Sequence, residues 1–143
     1  MTIAAILKTK GAEVTSVSAH ATVAEVVHVL AQRRIGAVLV CDERGDLLGI
    51  LSERDVVRAL ADHGASTLDQ HAVHLMTRHV TTTTPRATVA EATAMMTCGR
   101  FRHLPVLEQG RIVGLVSIGD VVKARMSQQE EEVDSLKAYV AGG

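Results

Sequence analysis

Two short stretches carry the residues best suited to chemistry, and they are copies of each other. Ser52-Glu53-Arg54-Asp55 follows the glycine-led apolar run Gly49–Leu51, and Ser117-Ile118-Gly119-Asp120 follows Gly114–Val116. Each then opens an amphipathic segment, beginning Val56–Val57 in one copy and Val121–Val122 in the other. Serine with a carboxylate three residues on is a capping-box variant, and a purely structural role accounts for a single copy. A strand end feeding a helix start also presents unpaired N–H groups and positive dipole, which favours a phosphate. A serine hydroxyl there caps the helix and still has a proton for that anion. The aspartate repels phosphate and suits two vicinal ribose hydroxyls instead. This chemistry makes Asp55 and Asp120 ribose candidates and Ser52 and Ser117 phosphate candidates. Arg54 adds a guanidinium able to clamp phosphate bidentately. The second corner has Ile118 and Gly119 at its middle positions and must take positive charge from elsewhere, the nearest sources by alignment being Arg102 and His103.

The elements that hold these corners are also duplicated. Ala21–Glu25 recurs word for word at Ala87–Glu91, and the alignment runs through Arg34 with Arg100 and Val40 with Val106. Each unit predicts the order β-α-β-β-α. A short β-branched strand is expected near Val14–Val17 and again near Val80–Thr83. Thr22 and Thr88 are N-caps with Glu25 and Glu91 three residues on. Val23, Val26, Val27 and Leu30 form the apolar stripe of the first helix, and Val89, Ala92, Met95 and Met96 that of the second. Strands Ala37–Cys41 and Leu47–Leu51 flank one tight turn; Leu104–Leu107 and Ile112–Val116 flank the other, with Gly45 and Gly110 suited to positive φ. The final helices are expected over Glu53–Ala61 and Ile118–Met126. Ile3–Leu7 and Val73–Met76 form equivalent lead-ins to the first and second units, and Gly64–His74 reads as a linker. The expected domains are 1–66, 67–127 and a C-terminal helix or tail, 128–143, where Val133, Leu136 and Val140 have coiled-coil-like spacing. That helix is equally suited to docking on its own domain or to a dimer contact.

The composition narrows the function. A chain of 143 residues with 15 basic and 16 acidic side chains has no basic face to offer, which argues against nucleic acid. One Phe, one Tyr and no Trp exclude a base-stacking platform, so a bound base must sit between aliphatic side chains. Cys41 and Cys98 lie in apolar runs without Cys-x-x-Cys spacing and read as reduced core thiols. No stretch has the length of a bilayer span or signal core, so a cytoplasmic protein without membrane contact is the expectation.

The lead-in HLMTRHVTTTTP, the helix ATVAEATAMM, the strand RHLPV and the corners GILSERD and GLVSIGD, in this order and in duplicate, resemble a tandem CBS-domain protein, or Bateman module, of the short stand-alone bacterial type. The resemblance covers about residues 3–126. It implies an α+β fold in which two β-α-β-β-α CBS repeats pack about a pseudo-twofold axis, with two clefts between them. It further implies an adenosyl ligand such as AMP, ADP or ATP in those clefts, and dimers. The matching Ser/Thr and Asp of the family make the phosphate and ribose contacts, in agreement with the chemistry above. Basic residues at the places of Arg102 and His103 line the phosphate end in the family. Lys10, with Lys8 and Arg78, precedes the first strands within reach of the clefts, and Lys10 is a further phosphate candidate. Thr15, Val17, Ile35, Thr81, Thr83 and Leu104 occupy the family-like positions for the adenine wall.

No enzyme assembles from these residues. There is no G-x-S-x-G elbow and no P-loop, and His71 and His74 lack a second ligand pair for a metal. The expectation is a non-catalytic regulatory sensor, a homodimer that binds an adenine nucleotide, AMP first among the candidates, and signals to an effector protein through conformation or dimer geometry. Two alternatives stay open: an interaction module with empty clefts, and a variant binding NAD(H) or S-adenosylmethionine. Because Arg54 serves one corner only, the two sites should differ in ligand preference.

Overall fold

The computed structural model describes residues 1–142. The elements run α1 (Ile3–Lys10), β1 (Ser16–Ser18), α2 (Val23–Arg33), β2 (Ala37–Cys41), β3 (Leu47–Ser52), α3 (Glu53–His63), a 3-10 turn (Gly64–Asp69), α4 (Ala72–Leu75), α5 (Val89–Gly99), β4 (His103–Glu108), β5 (Arg111–Ser117) and α6 (Ile118–Gly142). The fold is α+β, and each repeat carries one small sheet with its helices.

The chain divides into two compact units that do not coincide with 1–66 and 67–127. One contains Met1–Ala12, Thr82–Glu108 and Val113–Gly143; the other contains Glu13–Thr81 and Gln109–Ile112. The physical reason lies in the lead-in helices. Ile3, Ile6 and Leu7 of α1, read from sequence as the entry to the first repeat, are buried with Val89, Ala92, Met96, Leu104, Val106, Val116 and Val121 of the second. Ala72 and Met76 are buried with Val23, Val26, Leu30, Val38, Val40, Leu51 and Val56 of the first. Each lead-in thus completes the core of the other repeat.

The backbone bonds that seat the two lead-ins match position for position. Ile3 N donates to Ala87 O at 2.8 Å and Ala4 N to Pro85 O at 2.9 Å; Ala72 N donates to Ala21 O at 2.7 Å and Val73 N to Ala19 O at 3.1 Å. Four helix-start N–H groups that have no partner within their own helix are satisfied in this way. The corner glycines make the room. A Cβ on Gly49 would lie 2.6 Å from Thr77 O and 2.7 Å from Met76 Sδ, and one on Gly114 would lie 2.6 Å from Leu7 Cδ2.

In the Glu13–Thr81 unit, β1 pairs parallel with β2, with Val17 opposite Val40, and β2 pairs antiparallel with β3, with Ala37 opposite Ser52. The second sheet is two-stranded, β4 with β5. They are joined through Gln109 (φ 51) and Gly110 (φ 76), two consecutive left-handed residues as a type I′ hairpin turn requires. The strand expected near Val80–Thr83 is reduced to a single parallel bridge, Thr83 to Val106. That bridge is the equivalent of Val17 with Val40, but Pro85 follows two residues on and its missing N–H helps end the ladder.

The helix starts follow the threonines. Thr22 accepts from Glu25 N, and Thr88 forms a full reciprocal box with Glu91. The stretch read as linker is helical instead, and Thr67 is fully buried there, donating from Oγ1 to Ala59 O at 3.1 Å. The helix expected over Ile118–Met126 and the C-terminal helix expected after it form one helix, α6, since no Gly or Pro interrupts the residues where they meet. The thiols are free but are not core groups: Cys98 is exposed and Cys41 half-buried. Partial burial, aided by the Asp42 carboxylate, pushes the Cys41 thiol up, which leaves it an inert group.

Candidate functional site: two serine–aspartate corners

Ser52 ends β3 and caps α3. Its N–H and hydroxyl both donate to Asp55 Oδ2, at 2.9 and 3.0 Å, and its Oγ accepts from Asp55 N at 3.2 Å. Ser117 and Asp120 repeat the arrangement at 2.8, 2.9 and 3.2 Å. Both residues of each corner are half-buried. The serine hydroxyl therefore spends its proton on the aspartate, where the sequence reading had it donate to a phosphate. The capping box fixes the carboxylate through Oδ2 alone. Oδ1 has no hydrogen bond in either corner among the described residues, and it is the acceptor that remains for a ligand.

The first helical residue of each corner is tied to the strand beside it. Glu53 N donates to Gly36 O at 2.9 Å, and Ile118 N donates to Arg102 O at 2.8 Å. The backbone of Arg102 thus lies against the second corner, with His103 next to it, half-buried at the start of β4. Gly36 and Ala37 occupy the equivalent places in the first repeat and bring no charge. The first corner has Arg54 instead, exposed in the first turn of α3.

Lys10 is the residue whose position sequence alone could not give. The exchanged α1 carries it into the second corner, where Nζ donates to Asp120 Oδ2 at 2.6 Å and to Leu115 O at 2.7 Å. Burial raises the Asp120 pKa, but the bonds from Lys10 and Ser117 outweigh it and hold the carboxyl below its usual range. In the lead-in alignment that pairs Ile3 with Ala72, the residue matching Lys10 is His79, which is exposed. Asp55 has no ion pair among the described residues. Lys10, a phosphate candidate from sequence, is the carboxylate's counter-ion here.

The adenine-wall candidates divide between the two units. Thr15, Val17, Ile35 and Thr81 belong to the unit of the first corner, and Thr83 and Leu104 to that of the second. Thr15 O accepts from Leu39 N at 3.1 Å, and its Oγ1 accepts from Arg33 at 3.1 Å. Leu104 is fully enclosed and Thr83 is 6 % exposed, so their side chains are core and present almost no surface to a base. Val17 and Ile35 are half-buried and Thr81 is exposed. An open cavity of about 480 Å³ bounded by Val17, Ser18, Cys41 and Asp42 lies at the far end of the sheet from Ser52. The length of β2, about 13 Å at ~3.3 Å per residue, separates it from the corner, and its two carboxylates, Asp42 and Glu43, would repel phosphate.

Comparison with known proteins agrees with this architecture. The CBS domain profile matches residues 6–62 and 72–127. The mitochondrial CBS domain-containing protein CBSX3 of Arabidopsis thaliana is 35% identical over 150 residues, covering 99% of this chain and 73% of that protein. The crystal structure of the CBS-domain containing protein ATU1752 from Agrobacterium tumefaciens superposes with a TM-score of 0.86 at 42% identity, over 87% of this chain and 99% of that one. A further similar structure is the CBS domain protein PAE2072 from Pyrobaculum aerophilum complexed with AMP, with a TM-score of 0.75 and 27% identity over 84% of this chain and 89% of that one. No helix among the described residues is long and apolar enough to cross a membrane. With two matched domains, duplicated lead-ins and duplicated corners, the chain belongs to the CBS-domain family as a tandem pair, a Bateman module.

Proposed function

We propose that this chain is a cytoplasmic, non-catalytic regulatory module that binds an adenosyl nucleotide, AMP first among the candidates, at its serine–aspartate corners. It works as a homodimer, and the ligand acts by favouring one conformation or dimer geometry that an effector protein reads. One observation carries the reading: each corner holds a carboxylate at a helix start by one oxygen and leaves the other without a partner among the described residues. That oxygen suits a ribose diol, and the helix start beside it suits the phosphate. The AMP complex of a similar CBS pair supports the ligand class.

In this reading the ribose ligands are Asp55 and Asp120. Arg54 serves phosphate at the first corner, and Arg102 with His103 serves it at the second. Ile35, next to the Gly36 that accepts from Glu53 N at the first corner, supplies the aliphatic wall for the base. The two corners differ in readiness. Asp55 carries no counter-ion among the described residues, whereas Asp120 is already neutralised by Lys10, so the first corner takes ligand first. The same ion pair favours one alternative at the second corner alone, a structural contact without ligand.

A thermal-shift and calorimetry series with AMP, ADP, ATP, NAD(H) and S-adenosylmethionine tests the proposal. Saturation by at least one of them well below millimolar is expected. A ligand at a hundredfold its Kd raises stability by about 2.7 kcal/mol, an unmistakable shift in Tm. No binding by any of them below about a millimolar, only ~4 kcal/mol, would leave an interaction module.

A further inference from the structure

The second half of α6 has no role in the corners. Every residue from Gln129 to Gly142 is exposed. A helix standing in water over this length is marginal unless one face is covered. Its apolar residues fall on one line. Val122, Met126, Val133, Leu136 and Val140 are 49, 57, 50, 63 and 70 % exposed. With Gln129 between them, they alternate in steps of four and three residues, the spacing of a heptad seam. In heptad terms Met126, Val133 and Val140 are a positions, and Val122, Gln129 and Leu136 are d positions. Valine at a with leucine at d is the pattern that favours two strands. The seam spans about 27 Å at 1.5 Å per residue.

The flanking charges identify the partner. The g positions are Arg125, Glu132 and Tyr139, and the e positions are Lys123, Glu130 and Lys137. Set parallel and in register against its own copy, the helix places Arg125 opposite Glu130 and Glu132 opposite Lys137, both attractive, on each side of the seam. Set antiparallel about its middle, it brings Glu130 onto Glu130, Glu132 onto Glu132, and Lys123 onto Lys137, all repulsive. Gln129, the polar seam residue, meets its own copy only in the parallel register.

We infer that α6 is a self-recognition element: two copies of this chain join through a parallel, in-register two-stranded coiled coil along Val122–Val140. The inference deepens the homodimer part of the proposed function and is independent of the ligand. Ligand signals read as dimer geometry would then pass along α6, because the corner residue Asp120 stands in its first turn.

Sedimentation of the full chain, with the variant V133E/L136E alongside, is the first test. Both replaced side chains are exposed and lie outside the packed cores, so the folded units should keep their cooperative unfolding transition, while the uncovered end of α6 loses part of its helical circular dichroism signal. Wild type should sediment as a dimer in the micromolar range and the variant as a monomer. A dimer that persists in the variant overturns the coiled coil while leaving a homodimer by another surface. A wild-type monomer at all concentrations overturns both. Orientation is read by oxidising V140C in a C41S/C98S background with copper phenanthroline. Near-complete disulfide dimer is expected, and no cross-link would overturn the parallel register. The charge pairs are tested by E132K, which should weaken the dimer by roughly tenfold, with recovery in E132K/K137E. Equal weakening in the single and double variants would also count against the inference.

Discussion

The corners at Ser52–Asp55 and Ser117–Asp120 are built from the same three hydrogen bonds, with lengths of 2.9, 3.0 and 3.2 Å in one and 2.8, 2.9 and 3.2 Å in the other. They differ in charge. A lysine from α1 neutralises the second aspartate, and the first aspartate has no such partner among the described residues. Duplication has thus preserved the backbone geometry that holds a carboxylate at a helix start, while single side chains outside the corner set what that carboxylate faces. A comparison of the four-residue corners alone finds Glu53 against Ile118 and Arg54 against Gly119; the larger difference arrives on α1.

The comparison can be broken first at the glycines. A Cβ at position 49 meets a backbone oxygen, Thr77 O, whereas one at position 114 meets the end of the Leu7 side chain. Gly49→Ala should therefore cost about 2–3 kcal/mol and Gly114→Ala about 1 kcal/mol, since a flexible leucine yields where backbone does not. Chemical denaturation of the two variants measures the difference, and the reverse order would show that the lead-ins are not seated as described. Next come the serines. Ser52→Ala should lose about 1 kcal/mol, the usual worth of an N-cap. Ser117→Ala should lose less, because Lys10 still compensates Asp120; urea titrations of both decide it.

The smallest effect is the pH dependence of the Lys10–Asp120 pair. The Asp120 carboxyl is held below its ordinary value, so its contribution to stability is complete above the unfolded value near ~4 and is lost as pH falls through the folded one. Wild type should lose stability faster than Lys10→Met between about pH 5 and 3, by no more than about 1 kcal/mol for a partly exposed pair. Parallel acid-unfolding curves would contradict an energetic role for this ion pair.

Much of this was legible in the sequence, because it lay in local pattern. The Thr22 and Thr88 caps, the valine stripe of α2, the turn at Gly110 and the two capping corners each depend on residues a few places apart. What stayed hidden depends on long-range placement. The exchange of Ile3–Leu7 and Ala72–Met76 between repeats joins segments that are far apart in the chain, and only Gly49 and Gly114 hinted at a close approach. The location of Lys10 follows from that exchange and from nothing near it. The enclosure of Leu104 follows from which face of β4 the exchanged α1 covers. Cys98 was misread as core because an apolar neighbourhood on α5 does not say which side of the helix it occupies.

Calorimetric titration of AMP into wild type, Asp55→Ala and Asp120→Ala tests the central claim most directly. Loss of charge-assisted bonds to a ribose should weaken binding on the order of 30- to 100-fold in Asp55→Ala, and by less in Asp120→Ala, whose carboxylate already has a counter-ion. Wild-type affinity in both variants would contradict the assignment of these corners as the nucleotide site.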